Sequence, residues 1–229
     1  MKTMTPPDPT RRGAIFGFAA ATAVSTGGTS SAGAADKLPI ITVLGDSITA
    51  GLGLPARDAL PAQLQVALDR MGVKAAVRGA GVSGDTSGGG LARVDFSVSA
   101  ETAVCVVALG GNDLLQGADP ARTKANLKRI IEKLKARRIR VVLAGVRAPP
   151  LIGASYARQF TGLYPALARE TGVVFHPDFV TGVVGAQRLM QRDGIHPNAA
   201  GARVIAERLA PTVASALRTT IPVHSANRL

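Results

Sequence analysis

From Pro39 onward the chain alternates short, nearly continuous apolar runs with longer segments in which apolar residues recur every three or four positions. That alternation is the pattern of βα units feeding a parallel sheet. Pro39 to Leu44 predicts a first strand, apolar on both faces as a strand covered by helices on either side must be. Leu60, Leu64, Leu68 and Met71 predict a helix that stops at Gly72, and Val73 to Val77 a second strand. Thr102 to Leu109 reads as the third strand. Leu127, Ile130, Ile131 and Leu134 then form one helical stripe, with Lys124, Lys128, Lys135 and Arg138 on the opposite face. Ile139 to Ala144 and Val173 to Phe175 complete the strands. Between those two strands, Tyr156, Phe160, Leu163, Tyr164 and Leu167 trace a helix that Pro165 is expected to kink or divide. Ile205, Leu209, Val213 and Leu217 close the pattern, with Pro211 as an expected irregularity and a loose polar tail over residues 219–229. The expectation is one α/β domain, residues 35–218, on a mainly parallel five-stranded sheet.

Composition narrows the class. A chain of 229 residues suits one core. With 46% hydrophobic residues against 18% charged, a packed globule is favoured over disorder. Aromatic residues make up only 3% and Trp is absent, so the stacking platforms that bind single-stranded nucleic acid are scarce. The formal charge of +12 leaves an anionic membrane surface as a weak partner, chiefly through the basic helix from Lys124 to Arg140, whose bland reading is a solvated face. Cys105, the single cysteine, lies inside an apolar run and reads as a buried hydrophobe. At the N-terminus, Arg11-Arg12, a short apolar stretch from Ala14 to Val24 and Ala32-Gly33-Ala34-Ala35 predict a signal peptide over residues 1–34, with a twin-arginine character. The mature protein is therefore expected outside the cytoplasm, periplasmic or secreted.

In an open α/β sheet, ligands gather at the carboxyl ends of the strands. Three polar, glycine-rich loops fall there: Gly45-Asp46-Ser47, Gly81-Val82-Ser83-Gly84-Asp85 and Gly110-Gly111-Asn112-Asp113. A serine hydroxyl attacks only when a base takes its proton and a third group fixes that base. The chain has three histidines. His224 lies in the tail and His176 has a structural reading with a minor claim as substitute base, while His196 shares a tight turn with Asp193 in Asp193-Gly194-Ile195-His196-Pro197-Asn198. Candidate donors to a developing oxyanion are the Ser47 N–H, the Gly84 N–H and the Asn112 amide. Ser47 alone reads as a helix N-cap, Asp46 as a structural hydrogen-bonding group and Asp113 as a cap of the next helix. No Gly-x-x-x-x-Gly-Lys-Ser/Thr follows Gly84, and no serine sits in Gly-x-Ser-x-Gly.

Gly45-Asp46-Ser47, Gly84 with Asp85, Gly111-Asn112-Asp113 and Asp193-x-x-His196 occur in the order of the four blocks of the SGNH (GDSL-like) hydrolase family. From about Ile40 to Ala216 the chain resembles that family, most closely its bacterial periplasmic thioesterase, lysophospholipase and arylesterase members. The resemblance implies a flavodoxin-like, three-layer α/β/α fold with no metal and no cofactor. It implies Ser47 as nucleophile, His196 as base and acid, and Asp193 as its orienting group, with Ser47, Gly84 and Asn112 forming the oxyanion hole. It further implies a mobile loop, residues 114–119, whose Leu114 and Leu115 meet an acyl chain, with Arg147 and Pro149 as another wall. The expected substrate is a small acyl ester or lysolipid, hydrolysed by a monomer. A carbohydrate O-deacetylase and a non-catalytic binder of anionic lipid or polymer remain as alternatives.

Overall fold

The computed structural model describes residues 37–218. The expected signal peptide, its cleavage region and the tail with His224 lie outside the described residues. The elements are β1 (Ile40–Gly45), α1 (Ser47–Ala50), α2 (Leu60–Arg70), β2 (Ala76–Gly81), α3 (Ser87–Ser97), β3 (Thr102–Ala108), α4 (Gly111–Leu115), α5 (Pro120–Ala136), β4 (Arg140–Ala144), α6 (Ala154–Thr171), β5 (Val174–His176) and α7 (Ala199–Arg218). The strands form one five-stranded sheet in the order β2-β1-β3-β4-β5, and every pairing is parallel.

Alternation along the strands divides the core in two. Ile41, Val43, Val104, Val106 and Val142 meet Leu60, Leu64 and Leu68 of α2 and Ile205, Leu209 and Val213 of α7. From the opposite face Leu44, Cys105, Val107 and Leu143 meet Val94 of α3, Leu127 and Ile131 of α5, and Phe160 and Leu167 of α6. The result is three layers, helices on both faces of the sheet, as expected. Each fully buried leucine or isoleucine contributes roughly 1.5–3 kcal/mol relative to exposure, so the two apolar layers dominate the surface terms. The cationic face of α5 is largely engaged between helices. Lys124 and Lys128 lie 2.9 and 2.6 Å from Glu170 of α6, and Lys133 lies 2.6 Å from Asp95 of α3. The Lys128 and Lys124 ammonium groups hold the Glu170 carboxyl down at about 2.

Two details differ from the sequence reading, and one element was left unassigned by it. β2 begins at Ala76, three residues past the expected start at Val73, and runs on through Arg78 and Gly79. It is an edge strand, so backbone pairing with β1 rather than an apolar run sets its limits. Pro165 and Pro211 sit inside unbroken helices. Each removes one helical hydrogen bond, but buried residues on both sides of each proline anchor the helix to the sheet, and this packing outweighs a penalty of about 3 kcal/mol. The glycine-rich stretch after Thr86 is helical, as α3, although each interior glycine costs about 1 kcal/mol relative to alanine. Its start is fixed from outside: Thr86 caps Gly89 N–H, and Asp113 accepts from both the N–H (2.7 Å) and the hydroxyl (2.5 Å) of Ser87.

The carboxyl ends of β1 and β2 approach α1 closely. A Cβ on Gly81 would lie 2.3 Å from the Ala50 backbone nitrogen, 2.7 Å from the Thr49 carbonyl carbon and 2.8 Å from the Asp46 carbonyl oxygen. All three are backbone atoms and cannot rotate aside. Gly81→Ala should therefore lower stability by roughly 1–3 kcal/mol in urea unfolding, the usual range for overpacking. Wild-type stability would show that α1 is free to shift away from β2.

Candidate active site

β1 ends at Gly45, and the next residue decides how Ser47 is presented. Asp46, not Ser47, is the N-cap of α1: its carboxylate accepts from Ile48 N–H at 3.1 Å. Ser47 is consequently the first helical residue. Its N–H is one of the unpaired donors of a first turn, and its hydroxyl is available to a partner from elsewhere. That partner comes from 149 residues away in the chain, for His196 Nε2 lies 2.9 Å from Ser47 Oγ. On its other side His196 Nδ1 lies 2.6 Å from Asp193 Oδ2. The second carboxylate oxygen of Asp193 accepts from the N–H groups of Ile195 (2.9 Å) and His196 (3.0 Å). Gly194, at φ 68°, supplies the left-handed step that lets the chain fold over that carboxylate. Gln191 fastens the loop to its surroundings, donating its backbone N–H to His196 O (2.8 Å) and its side-chain amide to Leu52 O (2.7 Å) and Pro197 O (3.0 Å).

The two carboxylates beside this series are displaced in opposite directions. Hydrogen bonds from the His196 backbone, the His196 ring and the Ile195 backbone hold the Asp193 carboxyl down at about 2. It stays ionised and can steady a positive imidazole. Burial pushes the Asp46 carboxyl up to about 6, against the Ile48 N–H and the charge on His196. His176, the alternative base, is buried in β5 with Nδ1 3.1 Å from Thr212 Oγ1. Burial lowers its pKa, and it is bonded to α7 rather than to Ser47. Cys105 is fully buried, which pushes its thiol up to about 12 and leaves it as packing.

The second and third loops meet. Gly84 turns at φ 82° with open space where a Cβ would project, and the Asn112 amide donates to Asp85 O at 2.9 Å. Asp113 does not cap the helix that follows its loop. It lies within α4, accepts from Thr123 of α5 at 3.2 Å as well as from Ser87, and so ties α3 to α5. The sequence reading left unassigned two side chains that hold this edge, Gln191 and Arg93. Gln191 was a polar residue beside a recognised block, and Arg93 lies in Leu91-Ala92-Arg93, within the stretch that resembles the family.

The expected pocket residues are less concentrated. Leu114 and Leu115 end α4 rather than lying in a mobile loop, because Leu114 N–H bonds Gly110 O and Gln116 N–H bonds Asn112 O, both at 3.0 Å. Leu114 packs toward the buried layer, whereas Leu115 is 66% exposed. Arg147 lies 3.2 Å from Asp178. It borders a cavity of about 470 Å³ with Ala148, Pro150, Ala157, Arg158 and Thr161. Of the stretch from Arg147 to Pro150, Arg147, Ala148 and Pro150 line that cavity, and no member of the Ser47 series does. Among the described residues, no three His, Cys, Asp or Glu side chains cluster as metal ligands.

Helices on both faces of a parallel sheet, with a serine, a histidine and an aspartate joined in series at its carboxyl edge and no Gly-x-Ser-x-Gly elbow, define a hydrolase of the three-layer α/β/α class. Residues 43–204 match the GDSL-like Lipase/Acylhydrolase family, and the chain belongs to it. The protein is thus a carboxylic ester hydrolase. It is 40% identical over 174 residues to Esterase TesA of Pseudomonas aeruginosa, covering 76% of this chain and 87% of that one. It is 39% identical over 180 residues to Thioesterase 1/protease 1/lysophospholipase L1 of Escherichia coli, covering 78% and 84%. The crystal structure of TesA superposes with a TM-score of 0.73 at 40% identity, covering 78% of this chain and 99% of that one.

The buried Asp46 makes stability depend on pH with an unusual sign. Below about 4 the group is protonated in both folded and unfolded chains, and above about 6 it is ionised in both. Between these limits only the folded state keeps the proton, so this contribution to stability falls as pH rises, by up to about 3 kcal/mol. Asp46→Asn keeps a capping oxygen and should flatten that slope in urea titrations from pH 4 to 6. Equal slopes in both proteins would mean that Asp46 ionises normally.

Proposed function

We propose that the protein is a serine esterase that forms an acyl intermediate on Ser47. The observation that carries the reading is the unbroken series Ser47 Oγ, His196 and Asp193, spaced at 2.9 and 2.6 Å. As Ser47 Oγ bonds to the acyl carbon, His196 Nε2 takes the hydroxyl proton, and the carbonyl electron pair moves onto oxygen. The Ser47 N–H, the Gly84 N–H and the Asn112 amide are the donors assigned to that oxyanion. Collapse expels the alcohol, which leaves with the proton from His196. A water, deprotonated in turn by His196, then releases the acid and regenerates Ser47. Asp193, ionised throughout, keeps Nδ1–H facing itself and Nε2 facing Ser47.

The substrates assigned to the site are aryl esters and lysophospholipids, in keeping with the names of the relatives and with acylhydrolase membership. Leu114, Leu115, Arg147 and Pro149 are the surfaces proposed for the acyl chain. Export through residues 1–34 would separate the enzyme from cytoplasmic acyl thioesters and favours oxygen esters. The proposed working form is a monomer, needing no cofactor, drawn weakly to anionic membrane surfaces by its positive charge.

With p-nitrophenyl butyrate, Ser47→Ala and His196→Ala should each lower kcat by at least about 10⁴, and Asn112→Ala by about 10² to 10³. A fluorophosphonate adduct should map to Ser47 by mass spectrometry. Wild-type turnover in Ser47→Ala, or an adduct elsewhere, overturns the assignment. A preference for acetylated xylan over acyl esters of four or more carbons would move the substrate to carbohydrate acetate.

A further inference from the structure

Arg93, on the inner side of α3, makes four hydrogen bonds, and three of them end on the segments that lead to the proposed site. Nε donates to Asp85 Oδ2 at 2.7 Å, Nη1 to Ala80 O at 2.9 Å and Nη2 to Gly45 O at 2.9 Å. The fourth, Nη1 to Ser97 Oγ at 3.1 Å, stays within the helix. Gly45 stands two residues before Ser47, Ala80 four before Gly84, and Asp85 directly after Gly84. The Asp85 carbonyl in turn receives the Asn112 amide at 2.9 Å. Resting on the Ser47 reading above, we infer that Arg93 is a positioning residue that holds the oxyanion donors of Gly84 and Asn112 in register with the nucleophile.

Burial and packing both support the assignment. The Arg93 and Asp85 side chains are only 18% and 12% exposed, so the pair works largely out of water. Only a planar guanidinium presents donors in three fixed directions at once; an ammonium on a flexible stem does not. The neighbouring backbone is shaped around the contact, since a Cβ on Gly89 would lie 2.0 Å from Asp85 Oδ1. A glycine at that helical position therefore leaves room for the Asp85 carboxylate beneath Arg93. It gives one of the glycines in α3 a reason to be there despite its poor helix propensity. Misplacing a catalytic donor by about 1 Å costs on the order of 10²-fold in rate, so a staple at this point acts on kcat without touching substrate.

The test is a double-mutant cycle with Arg93→Lys and Asn112→Ala, using p-nitrophenyl butyrate and active sites titrated with a fluorophosphonate so that unfolded protein is not counted. Arg93→Lys alone should lower kcat per titrated site by about 10- to 100-fold with KM changed less than about threefold. In the Asn112→Ala background the same change should lower kcat by a clearly smaller factor than it does alone, because one of the two donors it positions is already absent. Gly89→Ala, which displaces Asp85 while leaving every charge in place, should reproduce the kcat loss and serves if Arg93→Lys folds poorly. Losses that multiply in the double variant, or that appear only as fewer titrated sites, overturn the positioning role alone. An unchanged kcat in Asn112→Ala overturns the oxyanion reading and this inference with it.

Discussion

Covering β1 on both faces is the constraint on which the rest depends. A central parallel strand has no face left for water, so its six residues are all buried and helices must lie above and below it. Two apolar layers follow, and so does the sharing of the helices between them. Parallel pairing then places every strand's carboxyl end at one edge, where the chain must turn in little space. Gly45 and Gly81 sit side by side in register there, and neither has room for a side chain. The serine at the start of α1 therefore stands on a platform defined by backbone contacts, which move far less than side chains do.

Placing an ionisable group on such a platform has different consequences at different depths. Asp46 is buried beneath the nucleophile and gains a hydrogen bond as cap of α1, but loses water, so its carboxyl is pushed up to about 6. Asp193 is more exposed and gains three hydrogen bonds, so its carboxyl is held down at about 2. For Asp46 desolvation exceeds what one N–H returns, whereas for Asp193 the donors prevail because little hydration is lost. The proposed roles match these environments. The acid that must remain charged beside His196 is the one solvent still reaches, and the buried one is structural. Between α3 and the β1 and β2 ends, the Arg93–Asp85 pair continues the same logic, being kept out of water by the neighbours it orders.

Local pattern was sufficient where the physics is local. The alternation of short apolar runs with helical stripes specified a parallel α/β sheet because each strand's burial and each helix's stripe are written in consecutive residues. Ser47, Asp193 and His196 were legible as candidates, because histidines are few and the Asp-Gly-Ile-His turn is self-contained, and the fold brings the three together. What the pattern misplaced or left unassigned were features set by distant partners. β2 follows the register of β1 rather than its own hydrophobicity, and Pro165 and Pro211 are carried by the packing around them. α3 forms from a glycine run because Asp113, from another loop, holds its first residue. The mobile loop over residues 114–119 was implied by the family resemblance alone, and local helical bonds place its two leucines at the end of α4 instead.

The sequence by itself therefore determined the class of fold, the candidate residues for acyl chemistry and the order in which they occur, since composition, periodicity and short motifs are properties of neighbours in the chain. Tertiary structure alone decided which oxygen faces His196, which carboxylate keeps its proton and which residues hold the edge together. Those outcomes turn on distances between residues as much as 149 positions apart and on how much water each loses. No local pattern records either quantity.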